Sequence, residues 1–418
     1  MTRVGVDFRA MQGGHQFRGI GEVLRQGCRQ LDHRLPSEVE VVAFYEGRGA
    51  SVFELVADLF SDRREVSVVE MPPNGTRLTR LRDNLSEAQI DAIRTRCDVL
   101  VQFDPGLGLP PDLPSVLVVH DQIPTILGDR YPATYWPTYG AARSSGMSHL
   151  RALERAGRRR LYERNLANAL ARAGRVITNS EHTAHTTREF ARTHGMPGLE
   201  DRLEPALLGV EVDEGDAGEL LAMERIRTEA TGIDRSPFLL YVGGVDDRRR
   251  IDLLVTAFNR LRGDGMDLHL VLAGDSFATV GSIGVERNRT PVAESSYRSD
   301  IHLFGFVTER ERHWLYDNAA AFVFPSEYEG FGLPVLEALI RGLAVVTFRN
   351  SSLEEVAGPN TELVEETWDG LHRGIVTTLA RGEQELAELA DAGRRWAGSF
   401  TWDRFGESLA RGVTDQVR

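Results

Sequence analysis

The chain contains no lysine, and all 49 of its basic residues are arginine. Pyridoxal-phosphate enzymes and Schiff-base aldolases need a lysine amine to form an imine. P-loop NTPases and protein kinases place one on the nucleotide phosphates. Those mechanisms are therefore excluded in their usual form. Cysteine is nearly as scarce: Cys28 and Cys97 have no Cys or His partner at metal-ligand spacing, and read as two buried thiols. No run of about 18 apolar residues occurs, and the N-terminus MTRVGVDFRA lacks an apolar signal core. The expectation is a cytoplasmic protein that does not span a membrane. Acidic residues number 62 against 49 basic ones, a formal charge of −13. That field opposes phosphate backbones, so nucleic acid is not expected as a partner.

What is present is a globular composition, 41% hydrophobic and 27% charged over 418 residues, a length that suits two or three domains of about 150 residues. Short β-branched runs at 3–8, 39–45, 98–103, 115–120 and 175–179 read as buried strands, with helical patterns at 19–32, 51–61, 86–96 and 181–193. The alternation weakens near 205–235 and restarts with strands at 238–244, 268–274, 301–304, 321–325 and 343–348. The fold class expected is α/β: two doubly wound, Rossmann-like units facing across a cleft, with ligands at the carboxyl ends of the strands. The expected divisions are 1–207, 208–400 and a terminal helix at 401–418 that packs back on the first unit. The Gly- and Ser-rich stretch 275–299 reads as a mobile surface loop. The arginine-rich stretch 151–175 reads as a solvated helix face laced with Glu154 and Glu163, with peripheral contact to the inner membrane face as the alternative.

The strongest local signal is AFVFPSEYEGFGLPVLEALIRGLAVVTFR at 321–349. A strand ends near Pro325, a loop carries Glu329-Gly330-Phe331-Gly332-Leu333, and Pro334 opens a helix containing Glu337. Proline suits a first helical turn because its missing N–H would be unpaired there anyway, and glycine-flanked helix starts present backbone donors to anions. Carboxylates accept well from vicinal hydroxyls, which sugars and ribose both carry.

With these residues the chain resembles retaining glycosyltransferases of the GT-B fold, specifically glycosyltransferase family 4 and its mannosyl- and rhamnosyltransferase-like group 1 members. The Glu-x7-Glu pattern in PSEYEGFGLPVLEAL carries the resemblance. Arg18-Gly19-Ile20-Gly21, His120-Asp121 in VLVVHDQIPTI, Ser180-Glu181 in VITNSEHT, YVGGVDDRRRIDLLVTAF, SSLEEVAG and FTWDRF extend it along nearly the whole chain. By that resemblance Glu329 contacts the donor sugar's hydroxyls, Glu337 the ribose, and the N–H groups of Phe331, Gly332 and Leu333 the ring and phosphates. His120 lines the sugar site near the reacting carbon, and Gly19, Gly21 and Gly244 belong to the donor loops. The family's Arg-Lys phosphate pair falls on Arg248 and Arg249, where the second position departs from lysine, and Arg250 follows to share the role. A planar guanidinium fork replaces a compact ammonium, so the phosphate geometry must adapt.

The implied reaction moves a hexosyl or deoxyhexosyl group from a nucleotide-diphosphate sugar, GDP-mannose favoured, to a glycan, lipid-linked or small-molecule hydroxyl acceptor. The resemblance implies retention of anomeric configuration, no metal and no further cofactor. It also makes 1–207 the acceptor-side domain and 208–400 the nucleotide-sugar domain. Asp246-Asp247 beside three arginines reads as a charged turn rather than a metal pair. A dinucleotide fingerprint is absent, because about ten residues separate Phe8 from Gly19 and Leu24 occupies the position of the third glycine. Two alternatives remain: a nucleotide-sugar epimerase or hydrolase on the same fold, and a degenerate subunit that binds without turnover.

Overall fold

The computed structural model describes residues 1–12, 19–47, 50–61, 64–73, 85–211 and 236–417. They form two compact units, Met1–Gly209 with Thr401–Arg418, and Val210–Phe400. The Pro-, Gly- and acid-rich stretch between the two strand sets falls largely at 212–235, outside the described residues.

In the first unit the described strands are β1 (Arg3–Asp7), β2 (Glu40–Glu46), β3 (Val66–Met71), β4 (Val99–Gln102), β5 (Ser115–Val119), β6 (Arg175–Thr178) and β7 (Leu203–Pro205). They form one sheet in the order β3-β2-β1-β4-β5-β6-β7, every pairing parallel. Val4, Val6, Val99, Val101, Leu117 and Val119 are fully buried, as expected where both sheet faces are covered and strands become near-continuous apolar runs. The order reverses between β1 and β4.

The second unit repeats the plan with β8 (Phe238–Val242), β9 (His269–Ala273), β10 (Ile301–Phe304), β11 (Ala321–Phe324), β12 (Val345–Phe348) and β13 (Thr361–Val364). Their order is β10-β9-β8-β11-β12-β13, again parallel throughout. Here the reversal lies between β8 and β11, paired through Ala321 with Leu239 and Phe322 with Leu240. A crevice opens at such a reversal because the connections leave the two neighbouring strands in opposite directions.

Three strands do not read as buried runs in the sequence: β3, β7 and β13. All three are edge strands, and β3 and β13 are only half-buried along most of their length. Their polar residues, Glu70 and Glu362 among them, and Pro205 in β7, interrupt the apolar pattern.

The stretch 275–299 is not the irregular surface loop its composition suggests. It contains two 3₁₀ turns, Asp275–Phe277 and Val280–Ser282, and the helix Glu286–Glu294. Phe277, Ile283 and Val292 are fully buried and anchor it. Polar residues and Pro291 within the helix hide its period.

The terminal helix Trp402–Val417 lies in the first unit, against the helix Gly19–Arg34 and strands β4 to β6. Small residues allow the approach: a Cβ on Gly406 would sit 2.3 Å from Gln30, and one on Gly412 3.3 Å from Val116. Glu204 of β7 then pairs with both Arg175 and Arg411 and accepts from Ser408 Oγ at 2.7 Å. Those contacts hold its carboxyl below the usual range despite burial, which pushes the other way. Cys28 and Cys97 are buried free thiols, and burial pushes Cys97 up to about 12. Among the described residues no helix is long and apolar enough to cross a membrane.

Candidate active site

Two loops meet at the reversal of the second sheet, one following β8 and the other β11. The β8 loop begins with Gly243 at φ 152°, and β9 is followed directly by Gly274, where a Cβ would stand 2.2 Å from the Gly243 carbonyl oxygen. Only a glycine pair tolerates that approach. The buried Tyr241 then holds the turn, donating its hydroxyl to the Gly244 carbonyl at 2.6 Å. Nothing lies within 4 Å of where a Gly244 side chain would begin.

The arginines follow in a short 3₁₀ turn, Asp247–Arg249. Arg248 is buried; its Nη1 donates to Ser326 Oγ at 3.1 Å, to the Tyr328 carbonyl at 2.8 Å, and to Glu329 Oε1. Arg249 Nη1 donates to the same Glu329 oxygen, and its guanidinium lies over the Phe324 ring, 4.8 Å from the centroid. Asp246 completes the charge set, its Oδ1 3.5 Å from Arg248 Nε and 3.7 Å from Arg249 Nε. Two guanidiniums and two carboxylates thus balance in a site where Arg248, Arg249 and Glu329 each keep only 10–13% side-chain exposure. Desolvated charges of this kind persist because each is paired. No described residue donates a hydrogen bond to Glu329 Oε2 or accepts one from Arg249 Nη2. The cluster therefore keeps one acceptor atom and one donor atom uncommitted among the described residues.

Arg250 is placed differently from its two neighbours. It adopts a left-handed backbone, φ 44° and ψ 45°. Its guanidinium is committed to Asp252, through Nε at 2.9 Å and Nη2 at 3.0 Å, and to the buried Glu327 through Nη1. It latches the β8 loop to the β11 loop, a link reinforced by the Glu327 N–H donating to the Arg248 carbonyl at 2.8 Å.

The β11 loop is held from a third direction by Ser351 and Ser352. Glu329 N–H donates to Ser351 Oγ at 3.0 Å, and the buried Ser352 Oγ bonds the Glu329 and Phe331 carbonyls at 2.9 and 2.8 Å. Gly332, at φ 111°, caps the helix Leu333–Ile340 with Pro334 in its first turn. A Cβ there would press on Leu353 and Val356 at 3.1 and 3.2 Å. Phe331 is buried, while Leu333 is partly exposed.

Glu337 lies further along that helix with partners of its own. Tyr316 donates its hydroxyl to Glu337 Oε2 at 3.1 Å, and Arg312 Nη1 is 3.7 Å from Oε1. Both partners belong to the helix Glu309–Asn318, which opens with the Thr308–Glu311 capping box. Glu327 and Tyr316 carry no motif of their own. The one hint in sequence is Glu327 inside PSEYEG.

The remaining candidates belong to the first unit. His120, buried at the end of β5, bonds the Phe103 carbonyl through Nε2 at 2.8 Å, so that nitrogen carries the proton and Nδ1 is the acceptor of the neutral ring. Thr183 Oγ1 donates to its carbonyl at 3.2 Å. Gly19 begins the helix Gly19–Arg34 and Gly21 is buried in its first turn, while Arg18 lies outside the described residues.

Residues 223–396 match the family model described as "Glycosyl transferases group 1", a segment that includes every β8- and β11-loop residue above. The O-antigen chain mannosyltransferase B of Escherichia coli is 32% identical over 171 residues, 40% of this chain and 42% of that protein. The MMP alpha-(1->4)-mannosyltransferase of Mycolicibacterium hassiacum is 32% identical over 115 residues, 27% of this chain and 28% of that one. The chain thus spans less than half the length of these relatives. Among solved structures, Anabaena HepE in complex with UDP and glucose is 15% identical, with a TM-score of 0.66 over 99% of this chain and 100% of that one. WaaG, a glycosyltransferase involved in lipopolysaccharide biosynthesis, is 16% identical with a TM-score of 0.65 over 99% and 100%. This likeness shows the fold, two Rossmann-like units of the GT-B type.

Proposed function

We propose that the chain is a retaining glycosyltransferase of family 4 that moves a hexosyl or deoxyhexosyl group from a nucleotide-diphosphate sugar to a hydroxyl acceptor. The observation that carries this reading is Glu329 at the β8/β11 reversal, with Oε1 bound by Arg248 and Arg249. Oε2 is left to accept from a sugar hydroxyl, and Arg249 Nη2 is left to meet a phosphate oxygen. A sugar joined to a diphosphate offers those two groups as neighbours.

Glycosyl departure builds negative charge on the diphosphate, and donors already aimed at that position lower the barrier without reorganising. Arg248 and Arg249 take that role. The N–H groups of Phe331, Gly332 and Leu333 and the open approach at Gly244 serve the ring and phosphates, and Glu337 serves the ribose. Arg250, spent on Asp252 and Glu327, keeps the loops in place. His120, Gly19 and Gly21 enter on the resemblance alone, as does retention. GDP-mannose is favoured because several relatives of the chain are named as mannosyltransferases. No metal or further cofactor is assigned a role, and the acceptor is a glycan, lipid-linked sugar or small molecule with a hydroxyl.

The test is incubation with GDP-mannose, UDP-glucose and dTDP-rhamnose, with and without sugar acceptors, reading products and anomeric configuration by NMR. Transfer with retention from GDP-mannose is expected. Rapid full conversion without acceptor would favour an epimerase or hydrolase, and binding without turnover a degenerate subunit.

We also propose peripheral membrane contact through 151–175. Leu150 and Leu153 are 82% and 59% exposed on the helix His149–Arg172, beside the exposed Arg151, Arg158 and Arg160. Apolar side chains set among arginines suit an anionic lipid surface. Cosedimentation with phosphatidylglycerol vesicles should fall on Leu150→Glu with Leu153→Glu. Equal binding by the double variant would remove the contact.

A further inference from the structure

The helix Ile251–Gly263 carries the arginine turn at its start, yet it has no side-chain cap of its own. Its N-cap residue is Arg250, in a left-handed conformation and without a capping hydrogen bond. The first N–H groups of a helix need partners from elsewhere, and one comes from 36 residues away. Asn288, fully buried in the helix Glu286–Glu294, accepts from Asp252 N–H through Oδ1 at 3.3 Å. Its amide nitrogen donates to the Val245 carbonyl at 2.9 Å and to the Asp246 carbonyl at 3.3 Å.

These three bonds bracket the arginines. Val245 and Asp246 lie just before Arg248 and Arg249, and Asp252 lies just after. One buried amide therefore fixes the backbone on both sides of the turn. At the far end of its helix, Ser295 Oγ donates to Asn259 Oδ1 at 2.6 Å and ties the strut to the helix it caps.

We infer that Asn288 is a positioning residue for Arg248 and Arg249, acting through the loop backbone on the affinity for a nucleoside diphosphate. The inference rests on the donor reading above. Only an amide fits all three bonds: an aspartate in its place keeps the shape and the acceptor but turns a carboxylate oxygen onto two carbonyls.

The test compares Asn288→Asp and Asn288→Ala with wild type by calorimetric titration of GDP and UDP, donor KM and kcat, and thermal melting. Asn360→Ala is the control, because Asn360 is another buried amide of the same unit and donates to the Gly342 carbonyl at 3.1 Å, outside the arginine loops. Asn288→Asp should weaken diphosphate binding about tenfold or more, two lost hydrogen bonds to backbone carbonyls and the repulsion that replaces them being of that order. Asn360→Ala should lower the melting temperature and leave affinity within about twofold. A role through the arginines also requires that Asn288→Asp weaken binding much less in an Arg249→Ala background than in wild type. Additive losses in that cycle, or equal losses in the Asn360 control, would overturn the inference. Wild-type protein that binds neither GDP nor UDP would overturn the donor reading instead. Hydrogen exchange at 245–252 then decides the anchoring by itself: faster exchange in Asn288→Asp upholds it, and unchanged exchange removes it.

Discussion

Arg248 and Glu329 lie 81 positions apart in the chain and share a buried, charge-assisted hydrogen bond at the reversal of the second sheet. Arg249 binds the same carboxylate oxygen, so one glutamate pairs with two cations and fixes their directions, with Asp246 completing the charge balance. The two arginines differ in what else they hold. Arg248 also supports Ser326 and the Tyr328 carbonyl, whereas Arg249 is held mainly by Glu329 and the Phe324 face.

That difference separates their variants. Arg249→Ala should lower kcat/KM by about 100-fold or more, the usual loss of a preorganised donor at a developing anion, while stability falls by only about 1 kcal/mol for the lost cation–π and pair contacts. Arg248→Ala should lose activity and also about 3 kcal/mol of stability, because it leaves Glu329 and the β11 loop short of buried partners. Arg249→Lys should lose about tenfold in rate, since one ammonium cannot lie flat on Phe324 and also serve both Glu329 and a phosphate. Kinetics beside thermal melting checks all three.

Glu329→Gln removes the negative charge between two guanidiniums. Transfer should fall sharply, nucleoside diphosphate should bind at least as tightly as to wild type, and stability should drop by about 3 kcal/mol as buried charges lose their partner. Unchanged transfer would take Glu329 out of the site.

Tyr316→Phe removes the hydroxyl on Glu337 Oε2. With Glu337 on the ribose, donor KM should rise several-fold, a hydrogen bond being worth about 1 kcal/mol, with kcat nearly unchanged. A fall in kcat at constant KM would contradict the ribose assignment.

His302 sets an acid limit on stability. It bonds His269 across β9 and β10 at 2.9 Å, and burial first, then the neighbouring His269, lowers its pKa to about 4. The unfolded chain takes that proton near pH 6.5. Between about 6.5 and 4 the unfolded state therefore binds more protons, and stability should fall as pH falls through that window and level off below it. Chemical denaturation across pH should show this slope in wild type and a flatter one in His302→Gln.

The doubly wound pattern was legible because its central strands are apolar on both faces. The Val99–Gln102 and Ala321–Phe324 runs leave little alternative. Edge strands such as Thr361–Val364 were not, because half their surface is polar. At the site, spacing could place Glu329 before a helix start, but it could not show that Arg250 turns away from Arg248 and Arg249. That depends on one left-handed residue and on Glu327 in a different loop. Asn288 was hidden for a related reason: a composition that reads as loop conceals a helix whose single buried amide does its work on backbone, which leaves no side-chain pattern in sequence.

The central claim is that Arg248 and Arg249, fixed in direction by Glu329, hold the diphosphate of a nucleotide sugar. Calorimetric titration of GDP against GMP, and of UDP against UMP, into wild type and Arg249→Ala tests it most directly. For the base that binds, the diphosphate should bind wild type at least about tenfold tighter than the monophosphate, one charge-assisted contact being worth roughly 1.5–3 kcal/mol, and this preference should collapse in the variant. A wild type indifferent to the second phosphate, or a preference that survives in Arg249→Ala, would contradict it.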